Sequence, residues 1–539
     1  DHSKPNTAYN RAVLNHLLHD AFQEPSAPEI PESDLILLPE DEKSQAILSR
    51  YRFRDTATAF RNLQLLAEEP VPFLPTRRCR HFLAGIAPKL LAALADTPDP
   101  DMALTNLEKV TSSLGAKGVL WELFSYNEPS LKLYVDLCAN SQFLSQILMS
   151  HPGMIDELLD SLVLDQPKSL KELEQELQEL CRGAEPHLID RILHSFQNKE
   201  LLRIGVQDIL GKRPLPETLL ALSDLAETVL GNVVERELEQ LHRRWGSPLV
   251  PGTSDTCHFV ILGLGKLGGR EMNYQSDLDL VMLYDVDGET HHLEGESTSH
   301  VHFFSELAQR VIKTLAQHGP LGRLYSADMR LRPTGKSGNL VVPLDRFQHY
   351  YAEGAQLWER QALTRARVVY GHSAFAQRVL EALHTATYQP WSPGMIDEIV
   401  SMRKRLEASR GEQDLKRGVG GIVDVEFLVQ LLLLKYGKDY PEIRQTNLWA
   451  ALRELERAAL LTPESAQAIT QHYDFLRTLE SRQRIVQNQA LDSLPEQPED
   501  LLKLVRRMGY PSVQSFTSDL DRRRQAMRRL FFQIVESER

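Results

Sequence analysis

Val260-Ile261-Leu262-Gly263-Leu264-Gly265-Lys266-Leu267-Gly268-Gly269-Arg270-Glu271-Met272-Asn273-Tyr274-Gln275-Ser276-Asp277-Leu278-Asp279-Leu280-Val281-Met282-Leu283-Tyr284-Asp285 is the stretch whose reading decides the fold. Its opening apolar run ends in Gly263, Gly265 and Gly268, the G-x-G-x-x-G spacing that follows a strand at dinucleotide-binding sites. Asp285 lies about twenty residues on, where such sites keep a ribose-binding acid. Taken alone, this favours a dehydrogenase-like unit. Asp277 and Asp279 argue otherwise. Residues two apart on a strand share a face, so these carboxylates point the same way while Leu278, Leu280, Met282 and Tyr284 pack behind. Adjacent carboxylates repel, and each favours protonation of the other unless a cation separates them. A hard divalent ion with oxygen ligands, such as Mg²⁺ shared with a triphosphate, resolves that repulsion.

Working outward, a further strand is expected over Leu324 to Leu331. Its alternation puts Tyr325, Ala327, Met329 and Leu331 on one face, with Ser326, Asp328, Arg330 and then Arg332 on the other. A solvated edge strand would explain that polar face. A third carboxylate beside guanidiniums also suits a site that binds metal and phosphate together. The turn Pro333-Thr334-Gly335-Lys336-Ser337-Gly338 adds backbone N–H groups and a lysine for phosphate.

The surrounding texture is helical, then mixed, then helical. Residues 45–245 read as helix, with Leu170, Leu173, Leu177 and Leu180 at helical spacing over less than two heptads, too short for a coiled coil. Short β-rich runs appear at 258–262, 278–284, 324–331 and 340–342, with a helix expected over Phe303 to Gln317, and helix resumes after Pro393. The expected architecture is mostly α with an embedded α+β domain. Residues 1–100 form a linker and N-terminal helical arm (the Pro-rich stretch Glu24 to Glu40 being the irregular part), 101–250 a helical domain, 251–385 the catalytic domain, and 386–539 a C-terminal helical bundle.

A length of 539 residues implies roughly two to four packed units, and 42% hydrophobic with 25% charged residues is ample for cores. The net charge of −13 disfavours nucleic acid as a partner. The apolar run Leu428 to Leu434 is too short to span a bilayer and contains Gln430. Cys79, Cys138, Cys181 and Cys257 have no paired spacing, which fits a reducing cytoplasm. The start at Asp1-His2-Ser3-Lys4 without an initiator Met suggests a piece of a longer protein. His291, His292, His300 and His302 crowd one polar insert; incidental loop histidines explain them more simply than zinc. Arg522, Arg523, Arg524, Arg528 and Arg529 read as the charged outer face of the last helix.

A glycine turn, a D-x-D strand and a third acid on a later strand resemble the DNA polymerase β nucleotidyltransferase superfamily. More narrowly, G-L-G-K-L-G-G-R-E-M-N-Y-Q-S-D-L-D-L (263–280), D-M-R-L-R-P-T-G-K-S-G (328–338) and W-E-R-Q-A-L-T-R-A-R (358–367) closely resemble glutamine synthetase adenylyltransferase, over about Leu104 to Met527. That family is bifunctional: one half attaches AMP to a tyrosine of glutamine synthetase, and the other removes it by phosphorolysis. A single D-x-D unit matches one half. Gln361-Ala362-Leu363-Thr364-Arg365-Ala366-Arg367, the segment Asp414 to Phe427 with Val423-Asp424, and the run Ser113 to Leu159 resemble the transferase half.

The resemblance implies AMP transfer from ATP to a tyrosine hydroxyl of glutamine synthetase, with release of pyrophosphate, in the cytoplasm. Two Mg²⁺ ions would be held by Asp277, Asp279 and Asp328, with Asp328 also a candidate proton acceptor. Gly268, Gly269, Lys266, Ser276, Arg330, Arg332, Lys336 and Ser337 are the expected nucleotide and phosphate partners. Lys416, Asp424 and Glu426 would form a second wall, although Asp424 and Glu426 diverge by about 200° on a helix. Glutamine and a PII signal protein are the implied regulators. Two other readings stay open: the adenylyl-removing half, with phosphate as attacker and ADP as product, and a degenerate nucleotidyltransferase serving as a sensor.

Overall fold

Apolar residues at helical spacing, punctuated by caps, build most of the chain. The computed structural model describes residues 42–69, 74, 76–154, 167–293, 295–319, 322–409, 414–487 and 493–539. The Pro-rich stretch Glu24 to Glu40 lies outside the described residues. Helices α1 (Glu42–Arg50), α2 (Thr56–Leu66), α3 (Thr76–Ala95), α4 (Pro100–Leu114), α5 (Lys117–Tyr126), α6 (Glu128–Asn140) and α7 (Gln142–Ser150) come first. They are followed by α8 (Leu170–Cys181), α9 (Pro186–Ile209) and the long α10 (Leu215–Trp245). Their ends obey local chemistry. Asp99 caps α4 by accepting from Met102 N, and Gly115 closes it in the left-handed region. Ser169 and Glu172 form a capping box on α8. Of the leucine row on α8, Leu173 and Leu177 are buried while Leu180 is exposed, so the helix packs on its own body.

The mixed region contains β1 (Ser247–Pro248), β2 (Phe259–Gly263), the one-turn α11 (Gly265–Gly268), β3 (Leu278–Tyr284), β4 (Thr290–His291), α12 (His300–Ala316), β5 (Ala327–Asp328), β6 (Val341–Pro343), α13 (Leu344–Glu353), α14 (Leu357–Leu363), β7 (Arg367–Gly371) and α15 (Ser373–Thr387). β1 pairs with β4, and the main sheet runs β5-β3-β2-β7 with β6 also on β3. β2 is antiparallel to β3 and β7, whereas β5 and β6 run parallel to β3. Alternation along β2 and β3 feeds two cores. Phe259, Ile261, Leu280, Met282 and Tyr284 join Phe303, Phe304 and Leu307 of α12. Val260, Leu262, Val281 and Leu283 join Phe347, Phe375 and Val379 of α13 and α15.

The C-terminal helices α16 (Gly394–Ala408), α17 (Ile422–Tyr436), α18 (Leu448–Arg457), α19 (Pro463–Gln487), α20 (Pro498–Arg507) and α21 (Val513–Ser537) enclose a core of their own.

Two features differ from the sequence expectation. The strand expected over Leu324 to Leu331 is only Ala327–Asp328. Asp328 Oδ1 accepts from Arg330 N at 2.9 Å, and that side-chain turn ends the strand, so Arg330 and Arg332 do not continue its polar face. β7 was not foreseen. It pairs with Val260 to Gly263 through a register shift at Ile261/Leu262 and forms the far edge of the sheet. Among the described residues no helix is long and apolar enough to cross a membrane.

Candidate active site

The parallel pairing of β3 with β5 sets Asp279 opposite Asp328 in register, and Asp277 stands exposed at the mouth of β3. Above them sits the glycine turn. Leu264 N donates to Asp279 O at 2.8 Å, and a Cβ on Gly265, whose φ is +53°, would collide with Asp279 Oδ2. Glycine is therefore required here both for the left-handed backbone and for the room it leaves the carboxylate. Burial pushes the Asp279 carboxyl up to about 6, Asp328 and Asp277 add to the rise, and Lys416 and Arg330 oppose it. Asp328 is engaged by Arg330, whose Nε lies 2.7 Å from Oδ2. Among the described residues no three His, Cys, Asp or Glu side chains are gathered closely enough to hold a metal ion. The donors nevertheless suit a hard cation in kind: all are carboxylates, and Asp279 carries an electrostatic strain that a cation would relieve.

The expected phosphate partners do not converge as a set. A Cβ on Gly268 would strike the backbone oxygen of Arg365, and one on Gly269 the Arg365 guanidinium. Both glycines thus make room for Arg365. Lys266 Nζ lies 2.6 Å from Glu480 Oε1 on α19. Burial lowers the pKa of the Lys266 ammonium to about 7 against the pull of Glu480, with Arg477, Arg484 and Lys416 adding repulsion. The same surroundings act oppositely on Glu480: burial raises it, but Lys266, Arg477 and Arg484 outweigh that and hold it ionised. Three cations share one anion. Ser276 is buried, and its Oγ accepts from Asn273 N at 3.0 Å, closing the turn that delivers Asp277. Arg332 is buried on the carbonyls of Met329, Gly338 and Asn339, because its guanidinium supplies the donors that this loop lacks. Ser337 Oγ donates to Thr334 O, and Lys336 lies beside it in the 3₁₀ turn Gly335–Ser337. Arg330, exposed and paired with Asp328, is the arginine that borders the acids.

Of the residues expected to form a second wall, Lys416 acts on Asp279, whereas Asp424 is buried inside the bundle. Lys416 lies in the loop before α17, close enough to Asp279 to lower its pKa. Asp424 is fully buried, with Oδ1 2.5 Å from Arg403 Nε and Oδ2 accepting from Gly420 N at 2.7 Å; Arg528 Nε stands 3.1 Å from the same Oδ2. Burial pushes its carboxyl up, against the opposing pull of Arg403 and Arg528. It anchors the loop from inside the bundle. Arg403 donates to Gly418 O, Arg524 to Val419 O, and His472 Nε2 meets Gly420 O at 2.8 Å, so the whole loop is buttressed. Glu426 diverges as expected and pairs with Arg365 at 3.2 Å. Arg524 and Arg528 are therefore interior clamps, while Arg522 and Arg523 pair with Asp519. Of the histidines, His300 is buried with its ring nitrogens 2.7 Å from Val286 O and 3.1 Å from Glu289 O, pinning the insert. His302 meets the edge of Trp245.

Sequence reasoning missed the hub around Glu271. This buried carboxylate accepts from Leu448 N at 2.7 Å and Tyr473 OH at 2.6 Å, and pairs with Arg365 at 2.8 Å. Arg367 donates to Gly268 O and binds Glu227 of α10, and Asn447 reaches Gly269 O. Tyr274 OH donates to Asp208, which Arg482 holds at 3.0 Å. Glu271, Arg365 and Arg367 lay within the quoted motifs and could have been singled out there. Tyr473, Arg477, Glu480 and Arg484 had only helical spacing in a polar sequence, which reads as a solvent face.

Residues 131–382 match the family model described as glutamate-ammonia ligase adenylyltransferase, and residues 394–535 match the one described as GlnD PII-uridylyltransferase. The chain is similar to the bifunctional glutamine synthetase adenylyltransferase/adenylyl-removing enzyme of Thioalkalivibrio sulfidiphilus, 34% identical over 87% of this chain and 50% of the relative. The enzymes of the same name from Pseudomonas aeruginosa (33%, covering 82% and 48%) and Xanthobacter autotrophicus (30%, covering 96% and 52%) are also similar. The chain spans about half the length of the relatives it matches. Over residues 131–382, which carry the glycine turn and all three acids, the chain belongs to the glutamate-ammonia ligase adenylyltransferase family.

Proposed function

We propose that this chain transfers AMP from ATP to a tyrosine hydroxyl of glutamine synthetase, releasing pyrophosphate, as the transferase half of a bifunctional protein. The observation that carries the reading is the placement of Asp279 beside Asp328 on parallel neighbouring strands, with Asp277 adjoining, under the glycine turn. A small mixed sheet with two acids on its central hairpin and a third on a parallel neighbour is what a polymerase β-like nucleotidyltransferase requires. The names of the relatives support glutamine synthetase as the protein substrate. The name of the C-terminal match supports a PII signal protein as a regulatory partner, with glutamine as a further effector by resemblance.

In the proposed reaction the tyrosine oxygen attacks the α-phosphorus, the bond to the β-phosphate oxygen breaks, and pyrophosphate leaves. Asp277, Asp279 and Asp328 would hold Mg²⁺, two ions by the family resemblance. Bound there, Mg²⁺ would lower the hydroxyl pKa and offset charge on the leaving group. Asp328 would receive the hydroxyl proton once Arg330, which pairs with it, shifts to substrate. Lys416 and Arg330, which both act on Asp279, would bring positive charge to a triphosphate bound beside the acids.

The test is label transfer from α-labelled ATP into glutamine synthetase. The wild-type chain should label it, and Asp277→Asn with Asp279→Asn should abolish labelling while leaving the fold intact. Wild-type rates in the double variant would sink the proposal. Release of ADP from adenylylated glutamine synthetase and phosphate, without labelling, would assign the removing half instead.

A further inference from the structure

Lys266 follows Gly265, the residue that abuts Asp279, and its side chain enters the C-terminal bundle. There Glu480 Oε1 lies 2.6 Å from Lys266 Nζ and 3.0 Å from Arg484, while Oε2 lies 3.4 Å from Arg477 Nε. Tyr473, Arg477, Glu480 and Arg484 recur at i, i+4, i+7 and i+11, one face of α19. The Glu480 side chain is 6% exposed and that of Lys266 16%. The same helix face also grips the chain beyond the turn: Arg477 donates to Glu271 O at 2.8 Å, and Arg484 to Tyr274 O at 3.3 Å. Both ends of segment 266–274 are therefore tied to α19, and the glycine turn cannot shift without pressing on or leaving Asp279.

We propose that Glu480 is a positioning residue for nucleotidyl transfer: by holding Lys266 it fixes the glycine turn against Asp279, though it touches no substrate itself. This rests on the nucleotidyl-transfer reading above. Lys266 is on this account a cross-bundle latch and not a phosphate ligand. A buried carboxylate with three cations around it cannot be neutralised without leaving those cations to repel one another. Glu480→Gln removes the anion that holds Lys266 and Lys266→Met removes the group that is held, so either change alone releases the latch.

The experiment is a double-mutant cycle read on MgATP binding by equilibrium dialysis and on kcat and KM for labelling glutamine synthetase. Glu480→Gln and Lys266→Met are each expected to lower kcat and MgATP affinity about tenfold, the scale of coupling between charges in contact, with the double variant no worse than either single one. Losses that simply multiply in the double variant, or wild-type values in Glu480→Gln beside an impaired Lys266→Met, would overturn the latch and return Lys266 to the phosphates. If Glu480→Gln does not fold, Glu480→Asp replaces it: retained charge should keep more activity than Lys266→Met, and the reverse order refutes the proposal. Wild-type protein that binds MgATP but leaves glutamine synthetase unlabelled sinks the substrate assignment alone, and the binding arm still decides the latch. Wild-type protein that binds no MgATP sinks both.

Discussion

Replacing Asp424 by asparagine separates a carboxylate that faces ligand from one that holds a loop. Asp424 is fully buried against Arg403, Arg528 and Gly420 N. The pair as a whole adds little net stability, since burial already pushes the carboxyl up against the pull of both arginines. Removing only the negative member is another matter, because two guanidiniums then stay buried beside an amide that offers them a single weak acceptor. Breaking a buried pair in this way costs about 3–5 kcal/mol. Glu407 remains 3.3 Å from Arg403 and also pairs with Arg528, so the lower end, roughly 3 kcal/mol, is expected here. At roughly 2–4 °C per kcal/mol for a unit of this size, the bundle should melt roughly 6–12 °C lower. Tryptophan fluorescence reports it directly, because Trp391 and Trp449 pack in that core. Equilibrium dialysis with MgATP is run beside it, below the new midpoint. An unchanged melt within about 0.5 kcal/mol together with an about tenfold loss of MgATP affinity would show that the carboxylate faces ligand after all, and the anchoring argument would fall.

Two further outcomes follow from the acids and the turn. In metal-free protein the Asp279 carboxyl, moved from 3.8 to about 6, contributes stability that is complete below 3.8 and is lost as pH rises through about 6, on the order of 3 kcal/mol. Asp279→Asn should therefore melt higher than wild type at pH 8 and not at pH 3.5, and added Mg²⁺ should stabilise only the wild type; equal melts at pH 8 refute the strain. Gly265→Ala places a Cβ on Asp279 Oδ2 and asks alanine to hold a φ of +53°, a backbone cost of about 1–2 kcal/mol. Labelling of glutamine synthetase should fall far more than the thermal midpoint does, and an active Gly265→Ala protein would show that the turn does not brace the acid.

Much of the candidate site was legible in the sequence. The D-x-D pair, the third acid and the glycine turn are local patterns, set by strand alternation and by the backbone needs of glycine. The ends of the 327–328 strand were not, since Asp328 stops its own strand by accepting from Arg330 N, a choice between two local hydrogen-bond patterns. Asp424 and Glu426 were correctly read as diverging, yet which of them would turn inward depended on Arg403 and Arg528 from other helices. Lys266 and Arg332 read as free cations because a sequence does not display the carboxylate or carbonyls that will claim them.

The sequence by itself determined that three acids gather on and at the mouth of strands beneath a glycine turn, because periodicities of two and 3.6 residues and the constraints on glycine act over a few bonds. Only the tertiary structure decided which charges are buried in pairs and which stay beside the acids. A buried cation must be paired, and its partner here lies 214 residues away, Glu480 for Lys266, on a helix whose charged face resembled a solvated one until it met the turn.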